Sequence, residues 1–140
     1  MTTQISIIDD YDSLLTTLSL QFQSYGYSTI TFNCPQAALE HHAKHPADAY
    51  VIDMKMPKMT GFEFYERLCQ KLNRDRVPAL FLTAVHELEE QALKNTTIGD
   101  YVVKPFNFGV LIARLEKILS YFKPKDDGKT YMIGNLIMME

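Results

Sequence analysis

Ile5-Ser6-Ile7-Ile8-Asp9-Asp10 and Tyr50-Val51-Ile52-Asp53 decide how this chain folds. Each is an apolar run that stops abruptly at acidic residues. Two further runs, Leu80-Phe81-Leu82-Thr83-Ala84 and Asp100-Tyr101-Val102-Val103-Lys104-Pro105-Phe106, end at a hydroxyl and at a lysine. Short apolar runs bounded by polar breaks and separated by helical patterns read as buried parallel strands. In open α/β sheets the ligand crevice lies just beyond the carboxyl ends of the strands. The four ends therefore bring three aspartates, a hydroxyl and an ammonium into one crevice. Such a set suits a divalent cation and a phosphoryl group.

The segments between the runs carry helical spacing. Leu14, Leu15, Leu18 and Phe22 mark a first helix, with Asp12 or Ser13 as its cap and Gly26 as its end. Residues 27–32 alternate and are rich in β-formers, which predicts a second strand. Pro35 opens a helix to about Ala43, and Pro46 closes the connection to a strand over 48–53. A loop from Met54 to Thr60, broken by Pro57, precedes Gly61. Phe62, Phe64, Tyr65, Leu68, Cys69 and Leu72 then trace a helix to about Lys71. Strands over 79–83 and 100–103 flank a short charged helix over 87–94. Asn107 caps a last helix to about Ser120, whose Leu111, Ile112, Leu115, Ile118 and Leu119 face inward. Strand and helix alternate five times, which predicts a parallel sheet covered on both faces.

A chain of 140 residues with 46% hydrophobic content makes one ordinary domain with a short extension. Its formal net charge is −3, and no Lys/Arg cluster suits a phosphate backbone, so direct nucleic-acid binding is not expected. No run approaches the ~20 apolar residues of a membrane span, and Met1-Thr2-Thr3-Gln4-Ile5 lacks a signal-peptide pattern. These features lead to the expectation of a cytoplasmic protein. Cys34 and Cys69 belong to no metal motif and read as reduced thiols. His41, His42 and His45 lie close together, but no third ligand stands at useful spacing, so they read as a solvated helix end.

Asp9, Asp10 and Asp53 at adjacent strand ends repel one another unless a cation intervenes. Mg²⁺ takes oxygen ligands in an octahedron and keeps several waters, which two or three carboxylates can satisfy. A carboxylate placed as Asp53 is can serve as an in-line nucleophile, forming an acyl phosphate. Lys104 is a compact cation for the phosphoryl oxygens, Thr83 offers a hydroxyl and Ala84 an unobstructed backbone N–H.

With these residues in this order, the chain resembles the receiver domain of two-component response regulators. The resemblance covers residues 4–121 and rests on Ile8-Asp9-Asp10, on Asp53-Met54-Lys55-Met56-Pro57 with Gly61, on Leu82-Thr83-Ala84 and on Asp100-Tyr101-Val102-Val103-Lys104-Pro105-Phe106. It implies a flavodoxin-like (βα)5 fold with a five-stranded parallel sheet in the order 2-1-3-4-5. It also implies that Asp53 accepts a phosphoryl group from a sensor histidine kinase. Asp10, Asp53 and the Lys55 backbone carbonyl would ligate Mg²⁺, with Asp9 acting mainly through water. Lys104 would pair with the phosphate, and the Lys104–Pro105 peptide bond would be cis. Thr83 would move toward the new phosphoryl oxygen and Tyr101 would rotate inward. That change would alter the surface formed by the 87–94 helix, the fifth strand and the last helix. The positions that tune phosphoryl lifetime in the family are here Lys55 and Val85. Val85 cannot hydrogen-bond an attacking water, which predicts slow self-dephosphorylation.

The C-terminal portion resembles the OmpR/PhoB winged-helix subfamily. Residues 1–122 then form the receiver and 123–130 a linker. Residues 131–140 form the first strand of an effector domain that would control transcription and contact DNA. That subfamily forms homodimers through charged pairs, and Asp100 with Arg114 fits one of them. Glu90, Val110 and Tyr121 depart from the others. A stand-alone receiver acting by protein contact is the near alternative. A haloacid-dehalogenase-like phosphatase, with Asp10 as nucleophile and Asp12 as acid/base, is the enzymatic one. Otherwise no enzyme activity is expected beyond self-phosphorylation and dephosphorylation.

Overall fold

The structure, a computed structural model, describes residues 2–84 and 100–122. The expected 87–94 helix, Val85, Glu90, the linker and the 131–140 strand lie outside the described residues. Strands β1 (Gln4–Ile8), β2 (Ser28–Phe32), β3 (Ala49–Asp53), β4 (Ala79–Thr83) and β5 (Asp100–Val103) form one parallel sheet in the order β2-β1-β3-β4-β5. Helices α1 (Asp12–Ser24), α2 (Pro35–Lys44), α3 (Gly61–Leu72) and α4 (Phe108–Phe122) connect and cover it. This is the flavodoxin-like architecture.

Side-chain alternation along each strand sorts the core into two halves. Ile5, Ile7, Val51, Leu80, Leu82 and Val102 pack against Leu15, Leu18 and Phe22 of α1 and Leu111, Ile112, Leu115 and Ile118 of α4. Ile8, Tyr50, Ile52, Ala79 and Phe81 face the other way, onto Ala38 and Leu39 of α2 and Phe64 and Leu68 of α3. Phe22 and Phe64 are both fully buried, each contributing roughly 1.5–3 kcal/mol of hydrophobic stabilisation.

Local chemistry sets the helix ends. Thr60 and Glu63 form a capping box at α3: the Thr60 hydroxyl accepts from the Glu63 amide, and the Glu63 carboxylate accepts from the Thr60 amide. Gly26, at φ 93°, follows the last residues of α1 and turns the chain into β2. The expected side-chain cap of α1 is a correction. The helix begins at Asp12 itself, its cap position is Tyr11, and no side chain caps it. The Tyr11 carbonyl takes the first bonds, from Leu14 and Leu15. Asp12 instead stands in the first turn, where its charge favours the helix dipole.

The histidine reading also needs correction. His42 is not solvated but fully buried beneath α2. Its Nδ1 lies 2.9 Å from the His45 carbonyl and its Nε2 lies 2.7 Å from the Ser6 hydroxyl on β1. A carbonyl only accepts, so Nδ1 carries the hydrogen; in the neutral ring Nε2 then accepts from the Ser6 hydroxyl. The rings of Phe32 and Tyr50 enclose it edge-on. The sequence signal was present in the period: Ala38, Leu39 and His42 fall on one helix face. Burial pushes the His42 pKa below its ordinary 6.5. The unfolded chain therefore binds a proton that the folded chain refuses, and stability is lost as pH falls below about 6.5. His42→Asn removes this term. Its destabilisation relative to wild type is expected to shrink, by up to about 1 kcal/mol, when urea unfolding is repeated at about pH 5.5 instead of 7.5. A gap that stays constant with pH would refute it.

Candidate functional site

Register brings the four strand ends level. Ile8 pairs with Ile52, Asp53 with Leu82, and Thr83 with Val103. The chain steps off each strand into the same space. Asp9 is held by a hydrogen bond from the Tyr11 amide to its Oδ1 at 2.9 Å, and its own amide bonds the Phe32 carbonyl. The Lys104 amide bonds the Thr83 carbonyl at 2.8 Å, and the Met54 amide bonds the Leu82 carbonyl at 2.8 Å. These bonds extend the sheet ladder one residue beyond β1, β3 and β5, so Asp9, Asp53 and Lys104 leave hydrogen-bonded backbone. The Lys104–Pro105 peptide bond is cis.

Asp9, Asp10 and Asp53 place carboxylate oxygens within 4.8 Å of one another, with Asp9 and Asp53 buried and Asp10 exposed. Lys104 Nζ donates to Asp53 Oδ1 at 2.8 Å and stands 3.8 Å from Asp9 Oδ2. Burial, and then the charge of Asp53, push the Asp9 pKa up to about 6. Burial opposes the Lys104 ammonium, but the hydrogen bond and charge of Asp53, with Asp9 and Asp10, outweigh it and raise its pKa. One lysine thus faces three carboxylates. Asp9 Oδ2 is buried and has no hydrogen-bond partner among the described residues. An orphaned carboxylate oxygen beside two further carboxylates is the donor set a hard divalent cation takes.

The cleft over this cluster is lined by Asp9, Asp10, Asp53, Lys55, Ala84 and Lys104. Thr83 is buried at the end of β4, and its hydroxyl donates to the Ala84 carbonyl at 3.1 Å. Lys55 is exposed and bridges to Thr60 across the loop that follows Asp53. Tyr101 lies on β5 with 37% of its surface exposed. Asp12 does not join the cleft lining; its carboxylate accepts from the Asn33 side chain at 3.0 Å. Sequence reasoning missed that Tyr11, Leu14 and Thr17 form one wall of the cleft. Their three-residue spacing directly after Asp10 was the available signal.

Residues 5–116 match the family described as the response regulator receiver domain. The heme response regulator HssR of Staphylococcus epidermidis is 33% identical over 135 residues, covering 94% of this chain and 58% of the relative. The phosphate regulon transcriptional regulatory protein PhoB of Rhizobium meliloti is 29% identical over 127 residues, covering 89% and 56%. The chain thus spans a little over half the length of these curated relatives. The chemotaxis protein CheY4 of Vibrio cholerae superimposes with a TM-score of 0.74 at 28% identity, over 84% of this chain and 99% of that one. A putative response regulator from Chloroflexus aurantiacus gives 0.77 at 27% identity, over 86% and 99%.

Proposed function

Because this chain belongs to the response regulator receiver domain family, we propose that it accepts a phosphoryl group on Asp53 from a sensor histidine kinase. The observation that carries the reading is the Lys104 ammonium 2.8 Å from a buried Asp53 carboxylate, at a cleft shared with Asp9 and Asp10. Asp53 attacks phosphorus in line. Its oxygen forms the new O–P bond as the P–N bond to the donor imidazole breaks, and the electron pair leaves with the ring nitrogen. Lys104 transfers its hydrogen bond from the carboxylate to the phosphoryl oxygens, while the Thr83 hydroxyl and the Ala84 amide donate to others. Asp9, Asp10, Asp53 and the Lys55 carbonyl would hold Mg²⁺, Asp9 mainly through water. Bound there, the ion would neutralise charge on the phosphoryl oxygens and the clustered carboxylates.

The output follows from local rearrangement. Thr83 moves toward the phosphoryl oxygen, Tyr101 turns inward, and the surface around β5 and α4 changes. Asp100 and Arg114 form an ion pair at 3.0 Å within the chain; exchanging that pair with a second copy supplies a homodimer contact. Residues 1–122 act as the receiver, with 123–130 linking to an effector whose first strand is 131–140. Transcription control through that effector is in keeping with the PhoB relative, a transcriptional regulatory protein. None of the described helices is long and apolar enough to cross a membrane, consistent with action in the cytoplasm. With Val85 and Lys55 at the lifetime positions, the acyl phosphate persists for minutes or longer.

The test is intact mass after incubation with Mg²⁺ and acetyl phosphate. Wild type is expected to gain one phosphoryl adduct and Asp53→Asn none. Equal labelling of both proteins would remove Asp53 as acceptor.

A further inference from the structure

Among the described residues, Arg114 makes polar and ring contacts to two consecutive residues of one edge strand. Its Nη1 donates to the Asp100 carboxylate at 3.0 Å and to the Tyr101 carbonyl at 3.3 Å, and its guanidinium lies 6.0 Å from the centre of the Tyr101 ring. The geometry is unusual in its path. Helix α4 packs on the sheet face that holds Val102 with Leu111, Ile112 and Leu115. Alternation places Tyr101 on the opposite face, in register with the buried Phe81 and on the same side as Thr83. Arg114 therefore reaches from α4 around the β5 edge to the ring on the far side. Asp100 fixes the guanidinium there, and also accepts from the Tyr101 amide at 2.8 Å.

We infer that Arg114 is a latch that holds Tyr101 in its outward rotamer, and so sets how readily the unphosphorylated protein enters the switched state. The inference rests on the receiver reading above, because it assigns regulation of the same switch. A guanidinium over a tyrosine face at an exposed site is a weak attraction, of a size that shifts a two-state population severalfold without locking it. That is the right scale for a latch, since a modification at Asp53 must still be able to overcome it. Inward rotation breaks the ring contact. The Asp100 contact can remain, so the guanidinium stays beside the strand but is no longer occupied by the ring.

Arg114→Gln removes the cation and keeps a polar side chain at a position already about half exposed, so folding is not at stake. Two readouts on the 140-residue chain test the latch. The first is the ¹⁹F spectrum of protein labelled with 3-fluorotyrosine, in which the Tyr101 signal is assigned by its disappearance in Tyr101→Phe. Without any phosphodonor, Arg114→Gln is expected to move that signal toward the position it takes with beryllofluoride, and Arg114→Lys to move it less. The second is the rate of acetyl phosphate labelling. It is expected to rise two- to fivefold in Arg114→Gln, and the gain is expected to vanish in a Tyr101→Ala background. A Tyr101 signal unmoved by Arg114→Gln overturns the latch, as does a rate gain that survives in Tyr101→Ala. If wild type takes no phosphoryl group at all, the receiver reading fails and the latch on its switch falls with it, an outcome distinct from a labelled wild type whose Tyr101 signal Arg114→Gln leaves unmoved.

Discussion

Gly61→Val is expected to lower the unfolding free energy by about 2–4 kcal/mol and the Tm by roughly 10 °C, although the residue bears no functional group. A Cβ at position 61 would stand 2.7 Å from the Asp53 carbonyl oxygen, 3.0 Å from Met54 Cα and 3.2 Å from Ile52 Cγ2. Two of these are backbone atoms at the end of the central strand. They cannot swing aside as a flexible side chain would. The Gly61 amide also bonds the Met54 carbonyl at 2.8 Å, so α3 begins pressed against the strand that presents Asp53. Any relief of the clash displaces either the helix start or the acceptor carboxylate. Gly61→Ala is expected to show the same effect at smaller size, because it adds the first offending atom alone. Thermal unfolding, paired with the rate of acetyl phosphate labelling, checks this. An alanine variant as stable and as quickly labelled as wild type would show that the strand end yields freely.

The second large effect has opposite signs with and without metal. Asp9→Asn is expected to stabilise the metal-free protein by ~1–3 kcal/mol. Asp9 is buried, one of its oxygens has no hydrogen-bond partner among the described residues, and burial with the Asp53 charge raises its pKa to about 6 against an ordinary 3.8. A carboxyl whose pKa is raised by folding binds protons more readily when folded. Its ionised form therefore subtracts stability, and the loss is complete above about pH 6. The amide removes that charge and keeps the acceptor for the Tyr11 N–H. It also removes an oxygen that a cation would use, so the Mg²⁺-induced rise in Tm is expected to shrink severalfold. Unfolding curves at pH 7.5 with EDTA and with millimolar Mg²⁺ separate the two effects. A variant less stable in EDTA, or with an undiminished response to Mg²⁺, would contradict the account.

The sheet was legible because its buried strands are short apolar runs with abrupt polar stops, and its order came from the resemblance to receiver domains. Asp9, Asp53, Thr83 and Lys104 were legible for the same reason: each is the first polar residue after such a run, and Asp10 follows Asp9 directly. What the sequence concealed were contacts made by residues whose usual habit is different. His42 reads as a surface histidine until its ring is seen between Ser6 and the His45 carbonyl. Asp12 reads as a cap, yet backbone geometry makes Tyr11 the cap position. The Arg114 contact with Tyr101 joins a helix on one face to a residue on the other, and no periodicity within either element encodes it. The closeness of Gly61 to Asp53 belongs to the same class. The glycine is visible in the sequence, but the atom that forbids a side chain is a carbonyl eight residues earlier.

The sheet also divides the molecule for anyone who would redesign it. Phe22 and Phe64 sit in separate clusters, on opposite sides of a wall of five strands, and their side-chain neighbours do not overlap. Energies of substitutions that share no partner sum to within about 0.5 kcal/mol. The α2–α3 side could therefore be recomposed as an independent module while the α1–α4 side is left as it stands. Variation could accumulate on each side along its own course, with coupling concentrated where both sides meet, at the strand ends that carry the carboxylates and the lysine.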